Sequence, residues 1–212
     1  MKQIRNLIWD FNGTLLNDVD LCLNSINSLL SKRSLKQLEK RDYHDIFTFP
    51  IRDYYTKAGF NFQDEHFETV AIEFMDLFLS GLPKAGLHTS VISALNHFKQ
   101  KGFRQIVLSA MQQDELRRVV ALHDIEGYFE EIFGIDDHYA HGKTGIAKKA
   151  MQQCGFLPEQ TCILGDTLHD AEIADYLGID CILIAQGHQS SERLAASGYR
   201  VIQSLGEIHH YL

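Results

Sequence analysis

The chain has 212 residues, 20 Lys and Arg against 28 Asp and Glu, a net charge of −8 and 45% apolar residues. At this length a chain buries roughly 70% of its unfolded surface, so a core forms without disulfide or metal staples. The acidic balance argues against sequence-independent nucleic-acid binding, which needs a basic face, and no run approaches the ~18 consecutive apolar residues of a membrane span. Cys22, Cys154, Cys162 and Cys181 make no CxxC pair and no zinc spacing, which predicts free thiols in a reducing compartment. The apolar run 7–9 meets Asp10 too soon to be a signal-peptide core, so a cytoplasmic protein is expected.

The first predicted strand is 4–9. From 17 to 82 the pattern is helical throughout, in pieces at 19–31, 35–44, 51–58 and 64–82, with re-entry at 83–86. Strands then follow at 104–109, 131–135, 160–165, 180–185 and 199–202. Helices are expected between them at 112–122, 142–154, 168–177 and 190–197. Leu116, Val119, Val120 and His123 share one helical face, as do Ala147, Ala150, Met151 and Cys154. Gly102, Gly155 and Gly178 mark returns from helix to strand. Strands alternating with amphipathic helices predict an α/β fold, a Rossmann-like parallel sheet flanked by helices. The expected organisation is a core of residues 1–16 and 83–212, interrupted by an all-α domain at 17–82.

Ligands of open parallel sheets bind beyond the carboxyl ends of the strands. The first predicted strand ends in Asp10–Phe11–Asn12–Gly13–Thr14, the second in Ser109–Ala110, and the fourth in Gly165–Asp166–Thr167–Leu168–His169–Asp170; Lys143 opens the helix before that fourth strand. Taken singly, these are a turn, a turn hydroxyl, a helix cap and a solvated lysine. Taken together they bring three acids, a hydroxyl and a lysine to one edge. Clustered carboxylates need a cation, and oxygen donors suit Mg²⁺. Metal and lysine together suit phosphoryl transfer, with one carboxylate attacking in line.

The same pieces resemble the four motifs of the haloacid dehalogenase-like superfamily, in its phosphoglycolate-phosphatase-like branch with a helical cap. The resemblance spans essentially the whole chain. It implies a nucleophilic Asp10 that forms an aspartyl-phosphate. It also implies Mg²⁺ held by Asp10, the Asn12 backbone carbonyl and Asp166, with Asp170 in or just outside that shell. The phosphoryl group would be bound by Ser109, Ala110, Gly13 and Lys143, while Thr14 supports the loop. The 17–82 domain becomes a cap over a small phosphorylated metabolite, with no membrane and no nucleic acid as partner.

One residue departs from the family pattern. These phosphatases usually carry Asp two positions after the nucleophile as general acid and base, and here the residue is Asn12. An amide does not exchange a proton at neutral pH, and losing acid–base help costs about 10²–10⁴ in rate. Aryl and acyl phosphates, whose leaving groups need no proton, suffer least. Three readings stand for Asn12: a catalytically weak phospholigand-binding site, a proton supplied by His169 or His188, or deamidation of the Asn12–Gly13 pair. In the cap, Pro50 at a helix start and Arg52 in its first turn suggest a guanidinium aimed at a second anionic group of the substrate. Asp18, near the cap hinge, is left open.

Overall fold

The computed structural model describes residues 4–135 and 142–212; the first three residues, included in the reading of the amino terminus, lie outside them. The chain runs β1 (Asn6–Trp9), β2 (Leu16–Asn17), α1 (Val19–Lys32), α2 (Lys40–Ile46), α3 (Ile51–Ala58) and α4 (Phe67–Gly81). It continues with β3 (Gly86–Leu87), α5 (Val91–Gln100), β4 (Arg104–Gln112), α6 (Gln113–Leu122), β5 (Glu131–Ile135) and α7 (Gly142–Cys154). The remaining elements are β6 (Thr161–Gly165), α8 (Leu168–Leu177), β7 (Asp180–Ile184), α9 (Ser191–Ala195) and β8 (Arg200–Ile202). Six strands form one parallel sheet in the order β5-β4-β1-β6-β7-β8.

Strand periodicity feeds both faces of this sheet. Leu7 and Trp9 of β1 join Val107, Leu164 and Ile182 in a cluster with Val91, Leu95 and Phe98 of α5 and Leu116 and Val119 of α6. Ile8, on the opposite face of β1, joins Ile106, Leu108, Ile163 and Leu183 in a second cluster, covered by Ala147, Ala150 and Met151 of α7 and Ile173 and Ala174 of α8. Because β1 lies between β4 and β6, the strand order reverses at its carboxyl end, where open α/β sheets bind ligands.

Helices α1–α4 leave and rejoin this core side by side. Leu16–Asn17 of β2 pairs antiparallel with Gly86–Leu87 of β3, so the two crossings of the chain are clipped together. The insert's apolar residues Ile26, Leu30, Tyr43 and Val70 belong to the same cluster as the first sheet face. Arg33 holds α1 to the far side of the insert through Glu65 (2.5 Å) and Glu73 (3.1 Å). The insert is also tethered to the core. Arg193 Nη1 donates to the carbonyls of His44 (2.8 Å) and Phe47 (2.6 Å), and Gln189 Nε2 donates to that of Phe47 (2.9 Å).

Most predicted elements are present, and Gly102, Gly155 and Gly178 all have positive φ. The differences are local. The charged stretch 35–39 is not helical, and α2 starts at Lys40. Strand β4 continues past Ser109 to Gln112, whose side chain accepts from Asp114 N (2.8 Å) and Glu115 N (3.0 Å), so α6 begins at Gln113. His123 is the residue that closes α6 rather than part of its apolar face. Helix α5 and the β2–β3 pair were not expected from the sequence. No helix among the described residues is long and apolar enough to cross a membrane.

Candidate active site

The loop after β1 is tied down by its own backbone. Asp10 N donates to Leu164 O of β6 (2.8 Å), and the amides of Leu15 and Leu16 both donate to Phe11 O. Gly13 has φ +76°, and a Cβ there would collide with the Asp166 carboxylate and the His188 ring. A side chain at Gly187 would meet the same carboxylate. This close approach requires glycine at both places, and at Gly13 the positive φ favours it as well.

Lys143, at the start of α7, is 5% exposed and reaches between two buried carboxylates, Asp10 and Asp170 (2.6 Å to Asp170 Oδ1). Burial alone would lower its pKa, but the two acids outweigh that and hold the ammonium above its ordinary pKa. Burial pushes the Asp10 carboxyl well above the usual carboxylate range; Lys143 opposes the rise, and Asp170 and Asp166 add to it. Asp166 is raised for the same leading reason, with His188 opposing. Thr14 Oγ1 (2.8 Å) and His188 N (2.6 Å) donate to the two oxygens of Asp166. Asp170 closes a capping box at the start of α8, accepting from Thr167 N (3.1 Å) and Thr167 Oγ1 (2.9 Å).

A second network surrounds Asn12. Its Nδ2 donates to Asp18 Oδ2 (2.7 Å), and its Oδ1 accepts from Ser109 Oγ (3.3 Å). Asp18 directly precedes α1, yet its side chain makes no cap hydrogen bond with that helix. It turns inward, fully buried, and accepts from Gly13 N (2.8 Å) and His188 Nε2 (3.3 Å). Burial opposes the Asp18 charge, but His188, Asn12 and Gly13 together hold its carboxyl below the usual range. Burial likewise opposes a charge on His188, and Asp18 outweighs it, so that the imidazolium's pKa is raised to about 9. The protonated ring donates from Nδ1 to Tyr43 Oη (2.7 Å) and stacks on Phe47 at 4.7 Å.

These contacts bear on the three readings of Asn12. Gly13 N, the atom that would attack the Asn12 side chain in deamidation, is engaged with Asp18 and with Leu16 O (3.0 Å). An aspartate at position 12 would face the Asp18 carboxylate where the amide now donates, so asparagine is the residue that matches Asp18. His169 pairs with Glu172 (3.0 Å), packs on Phe49 (5.0 Å) and is not among the residues lining the cavity beside Asp10. His188 does line that cavity, but as a cation held between Asp18, Tyr43 and Phe47.

Asp10, Asp166 and Asp170 each offer an oxygen within 4.8 Å of the others, and all three are buried. With Asp18, four buried carboxyl groups face two buried cationic side chains, Lys143 and His188. A divalent cation would correct that imbalance, and a hard oxygen donor set fits Mg²⁺. Asp18, Cys22 and His188 form another potential donor group. There the Asp18 carboxylate is already matched by the His188 cation, whereas Asp10 and Asp170 share the single ammonium of Lys143 beside Asp166.

A cavity of about 260 Å³ adjoins these carboxylates. From the sheet side it is lined by Asp10, Asn12, Ser109, Ala110, Lys143 and Thr167; from the insert, by Phe47, Phe49, Tyr54, Tyr55, Phe74 and Phe78 among others. Ser109 Oγ also accepts from Met111 N (3.0 Å), which fixes the hydroxyl at the cavity wall. The sequence-derived residues Asp10, Asn12, Ser109, Ala110, Lys143, Asp166 and Asp170 thus converge. Gly13 lies in the same loop, with its amide committed to Asp18 and Leu16 O. Arg52 is exposed, and its guanidinium sits over the rings of Phe62 (5.4 Å) and Phe67 (5.7 Å), away from the residues that line the cavity. Tyr43 and Thr167 were not singled out from sequence. A tyrosine in a charged amphipathic helix and a threonine before a helix carry no local sign of their distant partners.

The family model described as haloacid dehalogenase-like hydrolase matches residues 7–184. The chain belongs to that family. Pyrophosphatase PpaX of Anoxybacillus flavithermus is 23% identical over 193 residues, covering 91% of this chain and 88% of its own length. A haloacid dehalogenase-like hydrolase from Streptococcus pneumoniae superposes with a TM-score of 0.85 over 100% of both chains at 18% identity. A predicted phosphoglycolate phosphatase from Haemophilus somnus superposes with a TM-score of 0.77, covering 99% of this chain and 98% of its own, at 19% identity. These likenesses establish the haloacid dehalogenase-like fold.

Proposed function

We propose that this haloacid dehalogenase-like hydrolase is a Mg²⁺-dependent phosphatase of small organic phosphates that works through an aspartyl-phosphate on Asp10. The observation that carries this reading is the buried Lys143, paired with Asp10 and Asp170 beside Asp166 at the carboxyl end of β1. The pyrophosphatase and phosphoglycolate phosphatase names among its relatives support it.

In this reading the Asp10 carboxylate attacks phosphorus in line, while Lys143 opposes the upward push of burial on Asp10 and carries charge toward the phosphoryl oxygens. Ser109 Oγ and the backbone at Ala110 bind the same oxygens. Asp10, Asp166 and the Asn12 carbonyl hold the metal, and Asp170 steadies the site through Lys143 and Thr167. When bound, Mg²⁺ supplies charge neutralisation and alignment of the phosphoryl group. The helical insert acts as a cap that excludes water from the cavity. Asn12 gives the leaving group no proton, so its side chain positions rather than titrates.

The test is phosphate release from acetyl phosphate and p-nitrophenyl phosphate, with and without Mg²⁺. Hydrolysis abolished both by chelation and by Asp10→Ala is expected. Hydrolysis that persists in Asp10→Ala, or none on either substrate, would contradict the proposal.

A further inference from the structure

We infer that the leaving group this site accepts is a small aromatic alcohol, so that its substrate is an aryl phosphate monoester; this rests on the phosphatase reading above. Two separate observations converge on it. The first is the chemistry of the chamber. Seven aromatic side chains of the insert, Tyr43, Phe47, Phe49, Tyr54, Tyr55, Phe74 and Phe78, line the cavity against Asp10 and Lys143. No lysine, arginine or histidine of the insert is among its described lining residues. The cations at the cavity wall are committed, Lys143 to Asp10 and Asp170 and His188 to Asp18, so a carboxylate or a second phosphate on the substrate would lose water without gaining a free counter-charge. A ring loses only its hydration and gains offset or edge contacts with its neighbours.

The dimensions agree. The cavity's 260 Å³ lies just below the ~300–1,000 Å³ of drug-sized sites, so one phosphate and one small ring system are the scale of ligand it holds. Tyr54, 2% exposed, is one of the lining residues, and its buried hydroxyl has no hydrogen-bond partner in the protein.

The second observation is Asn12. Its amide is fixed between Asp18 and Ser109 and has no proton to give. An alkoxide, with a parent pKa near that of water, about 15.7, leaves badly without an acid. A phenolate, with a parent pKa of about 10, leaves without one. An Asp10 oxygen forms a bond to phosphorus as the P–O(aryl) bond breaks. The phenolate departs with the electron pair and takes its proton from solvent. Water then attacks phosphorus, Asp10 leaves as carboxylate, and the water proton passes to solvent.

The experiment separates ring recognition from turnover. Binding of benzylphosphonate and methylphosphonate, which cannot be hydrolysed, is measured by calorimetry on the Mg²⁺-loaded protein. Hydrolysis of phenyl, benzyl and glycerol phosphates is followed in parallel, with acetyl phosphate as a good leaving group that carries no ring. The expected result is at least tenfold tighter binding of the benzyl ligand, a lower KM for benzyl than for glycerol phosphate, and a higher kcat for phenyl than for benzyl phosphate. In Ala71→Leu, which narrows the chamber beside Phe74, the tenfold advantage of the ring collapses. Equal affinity for the two phosphonates, with acetyl phosphate hydrolysed, overturns the aromatic inference and leaves the phosphatase reading standing. Tight benzylphosphonate binding with no hydrolysis of any ester or of acetyl phosphate overturns the phosphatase reading, and with it the assignment of the ring as a leaving group.

Discussion

Asn12→Asp is expected to raise the turnover of alkyl phosphates by about 10²–10⁴-fold, the usual contribution of a positioned acid–base group, and to change the first, aryl-releasing step of aryl phosphates much less. The geometry explains both parts. The Asn12 amide lies 2.7 Å from Asp18 Oδ2 and lines the cavity beside Asp10. A carboxyl in its place meets the Asp18 carboxylate in a buried setting. Two acids at that distance share one proton rather than both ionise, and that proton is available to a departing alkoxide. A phenolate has no use for it. The same crowding has a cost: the variant is expected to melt below the wild type, and adding Asp18→Asn should recover part of the loss by restoring one amide–carboxylate pair. Steady-state rates on glycerol phosphate and the burst rate on p-nitrophenyl phosphate, beside thermal midpoints, check both halves. An alkyl phosphate rate unchanged by Asn12→Asp would mean that position 12 does not face the leaving group.

Lys143→Met is expected to lose turnover and to destabilise the fold by about 3–5 kcal/mol, the cost of leaving buried charge without its partner. For a chain of this size that is a drop of about 6–20 °C in thermal midpoint. The loss follows from where the lysine sits. It is 5% exposed and compensates Asp10 and Asp170 at once, while burial already drives Asp10 toward its neutral form. Mg²⁺ should restore part of the midpoint, because ligand that binds only the folded state stabilises it by mass action. Thermal unfolding with and without Mg²⁺ measures this. Lost activity with an unchanged midpoint would make Lys143 a phosphate contact only, with no part in holding the carboxylates together.

The sheet is legible in the sequence because its strands are buried on both faces. Runs such as Leu7–Ile8–Trp9 and Cys162–Ile163–Leu164 are apolar, bounded by loop residues and too short for a buried helix. Helix α5 carries an equally regular set, Val91, Ala94, Leu95 and Phe98, all buried, and could have been read from its i, i+3, i+4, i+7 spacing. The β2–β3 clip could not, since two residues per strand contain no period. The end of β4 was hidden for a different reason. Its last residues, Ala110–Met111–Gln112, pass a register shift against β5 and are not a continuous apolar run.

The site divides along similar lines. Asp10, Asp166 and Asp170 follow strand ends, Ser109 lies in the last part of β4, and Lys143 opens a helix, so chain topology alone brings them to one edge. The network behind Asn12 is different. Tyr43 and His188 are 145 residues apart, and their hydrogen bond exists because the insert folds back onto the loop after β7. Asp18 looks from sequence like the start of a helix, yet its partners are Asn12, Gly13 and His188. The aromatic chamber shows the same limit. Its rings come from α2, α3, α4 and the loop between α2 and α3, and only packing makes them one wall.

Rapid mixing of the Mg²⁺-loaded protein with p-nitrophenyl phosphate, followed by acid quench and mass spectrometry of the Asp10 peptide, tests the proposed chemistry most directly. With no base at position 12 to activate water, the second step should be the slower one. The expected result is a burst of about one p-nitrophenolate per site, with a phosphoryl group on Asp10 that turns over faster in Asn12→Asp. Steady turnover with neither a burst nor phosphorylated Asp10 in the wild type would contradict it.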